Sequence, residues 1–600
     1  MSRKIFFLFL QIILIIALLG GLILVWAAFQ SFETLAALLN NLASDGELEL
    51  FNLFLYQTLK LPLALSGTGL AILAGLSLIR WEKTKQWIKE FPAQTKRFFN
   101  MLRQDTEAFF VDTGFAIRGQ GWVGIAFLVA SMGIALALRL GNLDIPLSHD
   151  EAYTYNAFAS RSVWHIISNY HLPNNHVLES LLVHFSTSLL GDTTWAIRLP
   201  TIIAGVLMVP ATYWFARRFY SQETAFLSAA LVAVFPVSIK YAVYARGYTL
   251  ICLITLLILA LGDYVRVKKN RFAWLLIVIF SALGFFAIPI MLFPYGVLYV
   301  WLLVSCGIGD IHSYESKVDF LKYWLWSGLS AAFITITLYT PIIVNNFDRF
   351  FGNGVIAPLE WSIFPGTTWV RLRNTWVEWI DSIPIWIVVL SVFGICAALI
   401  LHKKISRQKI PLQFAFVIWI TILMLARRPD MLPRFWLFIA VPLLTWAVAG
   451  VVEFLRMVPL RVVKNWSLAQ SFVGLVFLLI AIQGLMITPT IPSKWNSNDG
   501  MERVTIYLED NIREGDLVTA TSARLPALRY YFSYYEIPKG YIRQSGPFQR
   551  AFIIVDGKKT ETLDMIAPQL GFGIPAIDMD SVKMVYQYKE FTVYECYPIP

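Results

Sequence analysis

The stretch GYTLICLITLLILALGDYV, residues 247–265, carries a single charge and is followed at once by RVKKNR, residues 266–271. A helix rising about 1.5 Å per residue makes an apolar run of this length nearly long enough to cross roughly 30 Å of hydrocarbon. The cationic link behind it is what the positive-inside rule places at the cytoplasmic end of a span.

The same alternation runs along most of the chain. Apolar runs predict membrane helices near 5–29, 53–79, 121–140, 196–216, 223–241, 247–265, 272–288, 291–308, 324–343, 383–401, 412–426, 435–455 and 468–490, about 13 in all. The first follows Arg3 and Lys4 and exceeds a signal-peptide core of ~7–15 residues, so it is expected as a retained helix. Basic links recur on alternate sides of this count. They hold Arg80 to Arg103, Arg217 with Arg218, Arg266 to Arg271, Lys403 to Lys409, and Arg456 with Arg461 and Lys464. The link after the first helix holds Glu33, Asp45, Glu47 and Glu49 with no Lys or Arg. The N-terminus is therefore expected in the cytoplasm. Loops 141–195 and 344–382, and everything after about residue 491, are expected outside.

A chain of 600 residues that is 57% hydrophobic and 15% charged is too apolar for a soluble enzyme. Its net charge of +10 needs no nucleic-acid partner, because the basic residues sit in the short links. Cys252, Cys306, Cys396 and Cys596 are far apart and form neither a disulfide framework nor a metal motif.

Three parts are expected. Residues 1–120 hold two N-terminal membrane helices and a basic, Trp- and Phe-rich segment, 81–119, read as amphipathic helices on the cytoplasmic interface. Residues 121–490 form the membrane core. Residues 491–600 read as a small extracytoplasmic α/β domain, with helices near 501–512 and 524–534 and strands near 516–521, 551–555, 583–588 and 591–595.

The chemistry concentrates in loop 141–195. It opens with LSHDEAYTY, residues 147–155, and holds five of the seven histidines: His149, His165, His171, His176 and His184. A loop this long is more than a connector. Surface helices are expected near 152–168 and 176–190, separated by the turn-rich break HLPNNH, residues 171–176. Asp150 and Glu151 could serve as a catalytic base if either reaches an attacking hydroxyl, although an isolated acidic pair is more commonly a solvated helix end. A divalent metal on His149, Asp150, His176 and Glu179 is chemically allowed but lacks tight ligand spacing.

Positive charge on the expected outer face breaks the general trend. Lys240 and Arg246 flank one outer turn, Arg427, Arg428 and Arg434 another, and Arg371 and Arg373 lie in a loop. A guanidinium at headgroup level can grip a phosphate bidentately, or simply anchor among lipid headgroups.

These motifs, in this order, resemble the membrane glycosyltransferases of GT-C fold, in the branch holding protein O-mannosyltransferases and lipid A aminoarabinose transferases. His149-Asp150-Glu151-Ala-Tyr resembles the family's Asp-Glu motif in the first outer loop. NNHVL, residues 174–178, resembles its His/Lys-Pro-Pro-Leu turn, with Val177 where the family has proline. WAIRLPTIIAG, residues 195–205, resembles its second core helix, and YARGYTL, residues 244–250, its Ala-Arg-Met-Tyr-Ala-Leu turn. LPRFW, residues 432–436, with Pro442 beyond it, resembles the entry to a late helix. The likeness spans about residues 121–455 and is strongest over 141–265.

The resemblance implies transfer of a hexosyl or pentosyl group from a polyprenyl-monophosphate donor to an acceptor hydroxyl. The acceptor would be a glycan, lipid or protein at the outer face of a bacterial plasma membrane. It implies Asp150 as the base, Glu151 assisting it, and inversion at the anomeric carbon. Arg246, with Arg434, His176 and Lys240, would neutralise the departing phosphate. No cofactor is implied with certainty; a divalent metal held by His149, His176 and Glu179 is left open. The competing readings are a transporter or flippase of a lipid-linked substrate, which predicts ionisable residues in mid-membrane, and a non-catalytic membrane scaffold.

Overall fold

The computed structural model describes residues 3–40, 53–143, 145–170, 174–351, 358–381, 383–457, 500–521, 523–543, 547–557 and 577–599. The expected thirteenth helix, 468–490, lies outside them, as do Arg461, Lys464 and His171. The chain divides into two compact units, residues 1–108 and 109–600.

In the first unit, α1 (Arg3–Phe29) and α3 (Leu53–Ile79) pair closely, with the short α2 (Phe32–Asn40) between them in sequence. Gly21 and Gly67 set the approach: a Cβ on Gly21 would stand 2.7 Å from the Ala71 nitrogen and the Gly67 oxygen. Small residues of this kind let helix backbones meet in lipid, where packing rather than hydrophobic burial drives association. Segment 81–119, expected as several amphipathic helices, is one helix, α4 (Trp81–Arg118), which continues through Pro92.

The second unit contains α5 (Gly121–Leu140), α6 (His149–Thr154), a π-helical turn (Tyr155–Ala159), α7 (Val163–Ser168), α8 (Val177–Leu190), α9 (Thr194–Phe219), α10 (Gln222–Val234), α11 (Pro236–Ala242) and α12 (Tyr248–Val267). There follow α13 (Arg271–Ala287), α14 (Leu292–Gly307), α15 (Lys317–Phe351), α16 (Phe364–Ile380), α17 (Ile385–Ile400), α18 (His402–Ile405), α19 (Leu412–Arg427) and α20 (Leu437–Met457). Among the described residues, eight helices are long and apolar enough to cross a membrane, or up to ten if each of two bent pairs is one span. That is fewer than the thirteen expected. Helices α13 and α19 match expected spans but are short, and 223–241 breaks into α10 and α11 at an angle of 56°.

Pro236 causes that break, since it has no N–H to give and its ring crowds the preceding turn. Arg139 on α5 covers the exposed backbone, donating from Nη1 to the Ala233 carbonyl (3.2 Å) and from Nη2 to Ser238 Oγ (2.9 Å). The expected outer loop 344–382 is largely helical, because α15 runs on to Phe351 and α16 fills most of the remainder.

Four links gather at one end of this bundle. Asp263 accepts from Arg218 Nε (2.8 Å), Arg266 Nη2 (2.8 Å) and Gln408 Nε2 (2.8 Å). Asp310 accepts from Arg266 Nη1 (2.9 Å) and the Lys409 backbone (2.9 Å). Buried charge is tolerated here because every carboxylate oxygen has a donor.

The C-terminal domain carries α21 (Met501–Asn511), β1 (Asp516–Ala520), α22 (Leu525–Tyr534), β2 (Arg550–Asp556), β3 (Lys583–Tyr588) and β4 (Phe591–Cys596). These lie close to the elements expected from sequence. The sheet order is β1-β2-β4-β3, with β1 and β2 parallel through the α22 crossover and the remaining pairs antiparallel. Its core is continuous with the first large loop: Leu147, Ala152 and Tyr155 are buried in one cluster with Leu525, Leu528 and Tyr531. The loop and the domain thus pack as one body.

Candidate active site

Ser148 begins the site. Its hydroxyl caps α6 by accepting from the Glu151 backbone (3.3 Å), while Glu151 Oε2 accepts from the Ser148 backbone (2.9 Å). This reciprocal capping box starts a helix within one turn. It also sends the two adjacent carboxylates to different places.

Glu151 is 2% exposed and surrounded by donors. Arg198 on α9 meets it with Nε to Oε1 (3.0 Å) and Nη2 to Oε2 (3.2 Å), and the Ala245 backbone donates to Oε1 (3.0 Å). Arg198 also holds the carbonyls of Leu143 and Ile145. Glu151 therefore fastens three segments together. All four of its acceptor sites are filled by protein.

Asp150 points into a cavity of about 1230 Å³. Its Oδ2 accepts from the Tyr244 hydroxyl (3.1 Å) and lies 3.3 Å from Arg434 Nη1. Among the described residues no hydrogen bond reaches Oδ1. Burial works against the charge, but Arg246, Arg434 and the Tyr244 hydroxyl together outweigh it and hold the carboxyl below its ordinary value. Burial, and after it the same carboxylate, drives the Tyr244 phenol upward and keeps it a donor.

Arg246 lies on the same wall and is 2% exposed. Its Nη1 donates to Thr154 Oγ1 (2.7 Å) and the Asn174 carbonyl (3.1 Å), and Nη2 lies 3.1 Å from His176 Nε2. Among the described residues the buried Nε atoms of Arg246 and Arg434 meet no acceptor. Both guanidinium groups line the cavity, and an anion there would find two fixed positive charges beside Asp150.

His176, expected to help neutralise phosphate, is a buried imidazole whose Nδ1 accepts from the Gly247 backbone (3.0 Å). Burial and the charges of Arg246 and Arg434 push its pKa well down, so it is neutral and contributes no positive charge. Lys240, also expected to hold phosphate, does not line the cavity: its Nζ pairs with Glu378 on α16 at 2.8 Å.

The metal reading fares no better. Among the described residues no group of three or more His, Cys, Asp or Glu side chains converges. His149 Nδ1 is engaged by the Ala523 carbonyl (2.9 Å). Glu179 is fully buried, its oxygens meet no partner among the described residues, and burial raises its pKa to about 8.

Other residues lining the cavity were not singled out from sequence. Arg161, Arg529 and Lys539 face it, the last two from the C-terminal domain. Tyr244 lies inside a quoted motif, yet nothing in its spacing announces a bond to Asp150. Ile288, Pro289, Ile290 and Phe293 make one wall apolar.

Comparison with known proteins adds a partial match. Residues 177–313 match the family described as dolichyl-phosphate-mannose-protein mannosyltransferase. The matched segment includes Arg246 and begins just after His176. No curated protein matches the chain. Among solved structures, the chain is similar to ArnT from Cupriavidus metallidurans bound to undecaprenyl phosphate. The identity is 12%, with 79% of this chain and 98% of that one covered, at a TM-score of 0.49. It is also similar to the Archaeoglobus fulgidus oligosaccharyltransferase in complex with Zn and sulfate, with 13% identity, 72% and 68% coverage and a TM-score of 0.43. The archaeal oligosaccharyltransferase AglB from Archaeoglobus fulgidus, with an inhibitory peptide and a dolichol-phosphate, gives 12%, 74% and 70%, and 0.41.

Proposed function

We propose that this protein is a GT-C type membrane glycosyltransferase that moves a sugar from a polyprenyl-monophosphate donor to an acceptor hydroxyl. The observation that carries this reading is the pairing in one cavity of the Asp150 carboxylate with the guanidinium groups of Arg246 and Arg434. The matched family's description, which names a dolichyl-phosphate sugar, supports it.

In this mechanism Arg246 and Arg434 hold the donor phosphate. As the glycosidic C–O bond breaks, its electron pair stays on the phosphate, and the fixed guanidinium charges favour that developing anion. Asp150 Oδ1 takes the proton from the acceptor hydroxyl, whose oxygen bonds the anomeric carbon from the opposite face and inverts it. A low-pKa carboxylate is a weak base. A phosphate between the arginines shares their charge with Asp150, which raises its basicity when donor is bound. The apolar wall at Ile288–Phe293 suits the polyprenyl chain.

The same reading places the site on the outer face of a bacterial plasma membrane, with the N-terminus in the cytoplasm, because the basic links gather at the opposite end of the bundle. It divides the chain into residues 1–120, a catalytic core at 121–490 and an extracytoplasmic domain at 491–600. The transferred group is a hexose or pentose, and the acceptor a glycan, lipid or protein.

The test is turnover of a panel of polyprenyl-phospho-sugars by the full-length protein in liposomes. Asp150→Asn should lower transfer about 10²–10⁴-fold, and Arg246→Ala should also depress it. Normal turnover by Asp150→Asn removes the proposed base, and movement of intact donor across the bilayer would make the protein a transporter.

A further inference from the structure

The cavity holds more positive charge than a donor phosphate needs. Two acids line it, and both are taken: Asp150 by Arg434, and Asp430 by a bidentate pair with Arg371 (2.6 and 2.7 Å). Beyond Arg246 and Arg434, four further cations line the cavity: Arg427 at the end of α19, and a set of three from the first loop and the C-terminal domain. Arg161 follows the π-helical turn of the first loop, Arg529 is on α22, and Lys539 lies in the short turn that follows. All three are exposed, and among the described residues none takes part in an ion pair.

The three are held near one another. Burial and the charges of Arg161 and Arg529 both push the Lys539 ammonium below its ordinary value, with only Asp192 opposing them. The loop and the domain cannot readily relax apart. Asn156 donates to the Pro526 carbonyl (2.9 Å), His149 Nδ1 meets that of Ala523 (2.9 Å), and the Tyr530 hydroxyl donates to that of Asp192 (2.8 Å). Like charges gathered on one cavity wall raise the local positive potential and attract an anion.

We infer that Arg161, Arg529 and Lys539 form a second anion subsite, which binds a phosphate or carboxylate group carried by the acceptor. This deepens the glycosyltransfer reading and rests on it. The wall joining the two sites is continuous, since Asp150, Tyr153, Asn156, Ala157 and Arg161 all line the cavity along α6 and the π-helical turn. Arg161 lies eleven residues beyond Asp150, past the end of the π-helical turn. The acceptor's charge is therefore remote from the hydroxyl that reacts, and the C-terminal domain supplies two of the three groups that select it.

The experiment uses full-length protein in detergent, first loaded with undecaprenyl phosphate to fill the donor site, and then titrated with short-chain phosphatidic acid or with glycerol phosphate. Wild type should bind at least one probe. The triple variant Arg161→Gln/Arg529→Gln/Lys539→Gln should bind it at least about tenfold more weakly, the scale of losing charge-assisted hydrogen bonds. Its affinity for undecaprenyl phosphate should stay within about threefold of wild type, which also reports an intact fold. Lys539→Arg should keep probe binding. Binding of phosphatidic acid alone identifies a lipid headgroup, and equal binding of glycerol phosphate a free phosphate ester; either supports the subsite. Equal probe affinity in the triple variant and wild type overturns it, as does failure of wild type to bind either probe. Failure of wild type to bind undecaprenyl phosphate counts against the donor reading instead, and the triple variant then decides the subsite on unloaded protein.

Discussion

Arg434 Nη1 and the Tyr244 hydroxyl meet the same oxygen of Asp150, Oδ2, at 3.3 and 3.1 Å. Both favour the ionised carboxylate, so its folded-state pKa lies below the ordinary value. A base of this kind fails only when pH falls through that depressed pKa. Tyr244→Phe removes one donor and should move the acid limb of the pH–rate profile upward. Transfer rates measured from pH 3 to 8 check this; an unmoved limb would mean that the phenol does not tune Asp150.

Two neighbouring carboxylates should respond to amide substitution in opposite ways. Asp150→Asn keeps the fold and should lower turnover about 10²–10⁴-fold. Glu151→Gln places an amide NH₂ against the donors of Arg198, Ser148 or Ala245 and leaves Arg198 buried without its counter-charge. The expected cost is ~3–5 kcal/mol of stability. Thermal unfolding of both variants beside wild type separates the roles: a folded Glu151→Gln protein with wild-type melting would refute the positioning role.

The helices were legible because apolar runs and cationic links are written into short stretches of sequence. Residues 247–265 and 266–271 become the bulk of α12 and part of the buried charge network at one end of the bundle. The break between α10 and α11 was missed although Pro236 was visible, because a hydropathy run does not register one absent N–H. At the site, the Asp150–Glu151 pair stood out, but its division of labour depends on Arg198, 47 positions away. The Ser148-x-x-Glu151 spacing was the available clue, since it marks a capping box. Lys240 misled because its partner Glu378 lies 138 positions off. Arg529 and Lys539 were invisible as site residues because only tertiary packing brings the last domain over the first loop.

Glu179 should make stability depend on pH in the direction opposite to Asp150. Its folded pKa is raised to about 8 by burial. Between its ordinary value and about 8 the unfolded chain ionises while the folded one stays protonated, so stability falls as pH rises through that window. Glu179→Gln removes this titration. The variant's melting temperature relative to wild type should therefore be higher at pH 8 than at pH 5, by a few degrees. A difference independent of pH would show that Glu179 does not titrate there.

Close packing around Arg139 gives a further test. A Cβ on Gly205 of α9 would stand 2.6 Å from the Ala242 Cβ and 2.7 Å from Arg139 Nε. Gly205→Ala must therefore push α11 or the arginine aside and loosen the bonds that cover the α10–α11 break. The expected destabilisation is ~1–3 kcal/mol, read as a lowered melting temperature, whereas Gly133→Ala, with nothing within 4 Å of the added methyl, should be neutral.

Lys240 and Arg246 sit six residues apart and flank the same turn, yet their variants should differ sharply. The Lys240–Glu378 pair is about one-fifth exposed on each side, and truncating the lysine removes an interaction of ~1 kcal/mol or less while leaving the cavity wall intact. Arg246 is 2% exposed and ties Thr154, Asn174 and His176 to the cavity. Lys240→Ala should keep undecaprenyl phosphate affinity within about twofold of wild type. Arg246→Ala should weaken it at least about tenfold, and Arg246→Lys should restore little, because a point charge cannot present the planar fork. Equal losses in both alanine variants would mean that the phosphate lies on the Glu378 side of the turn, away from Asp150.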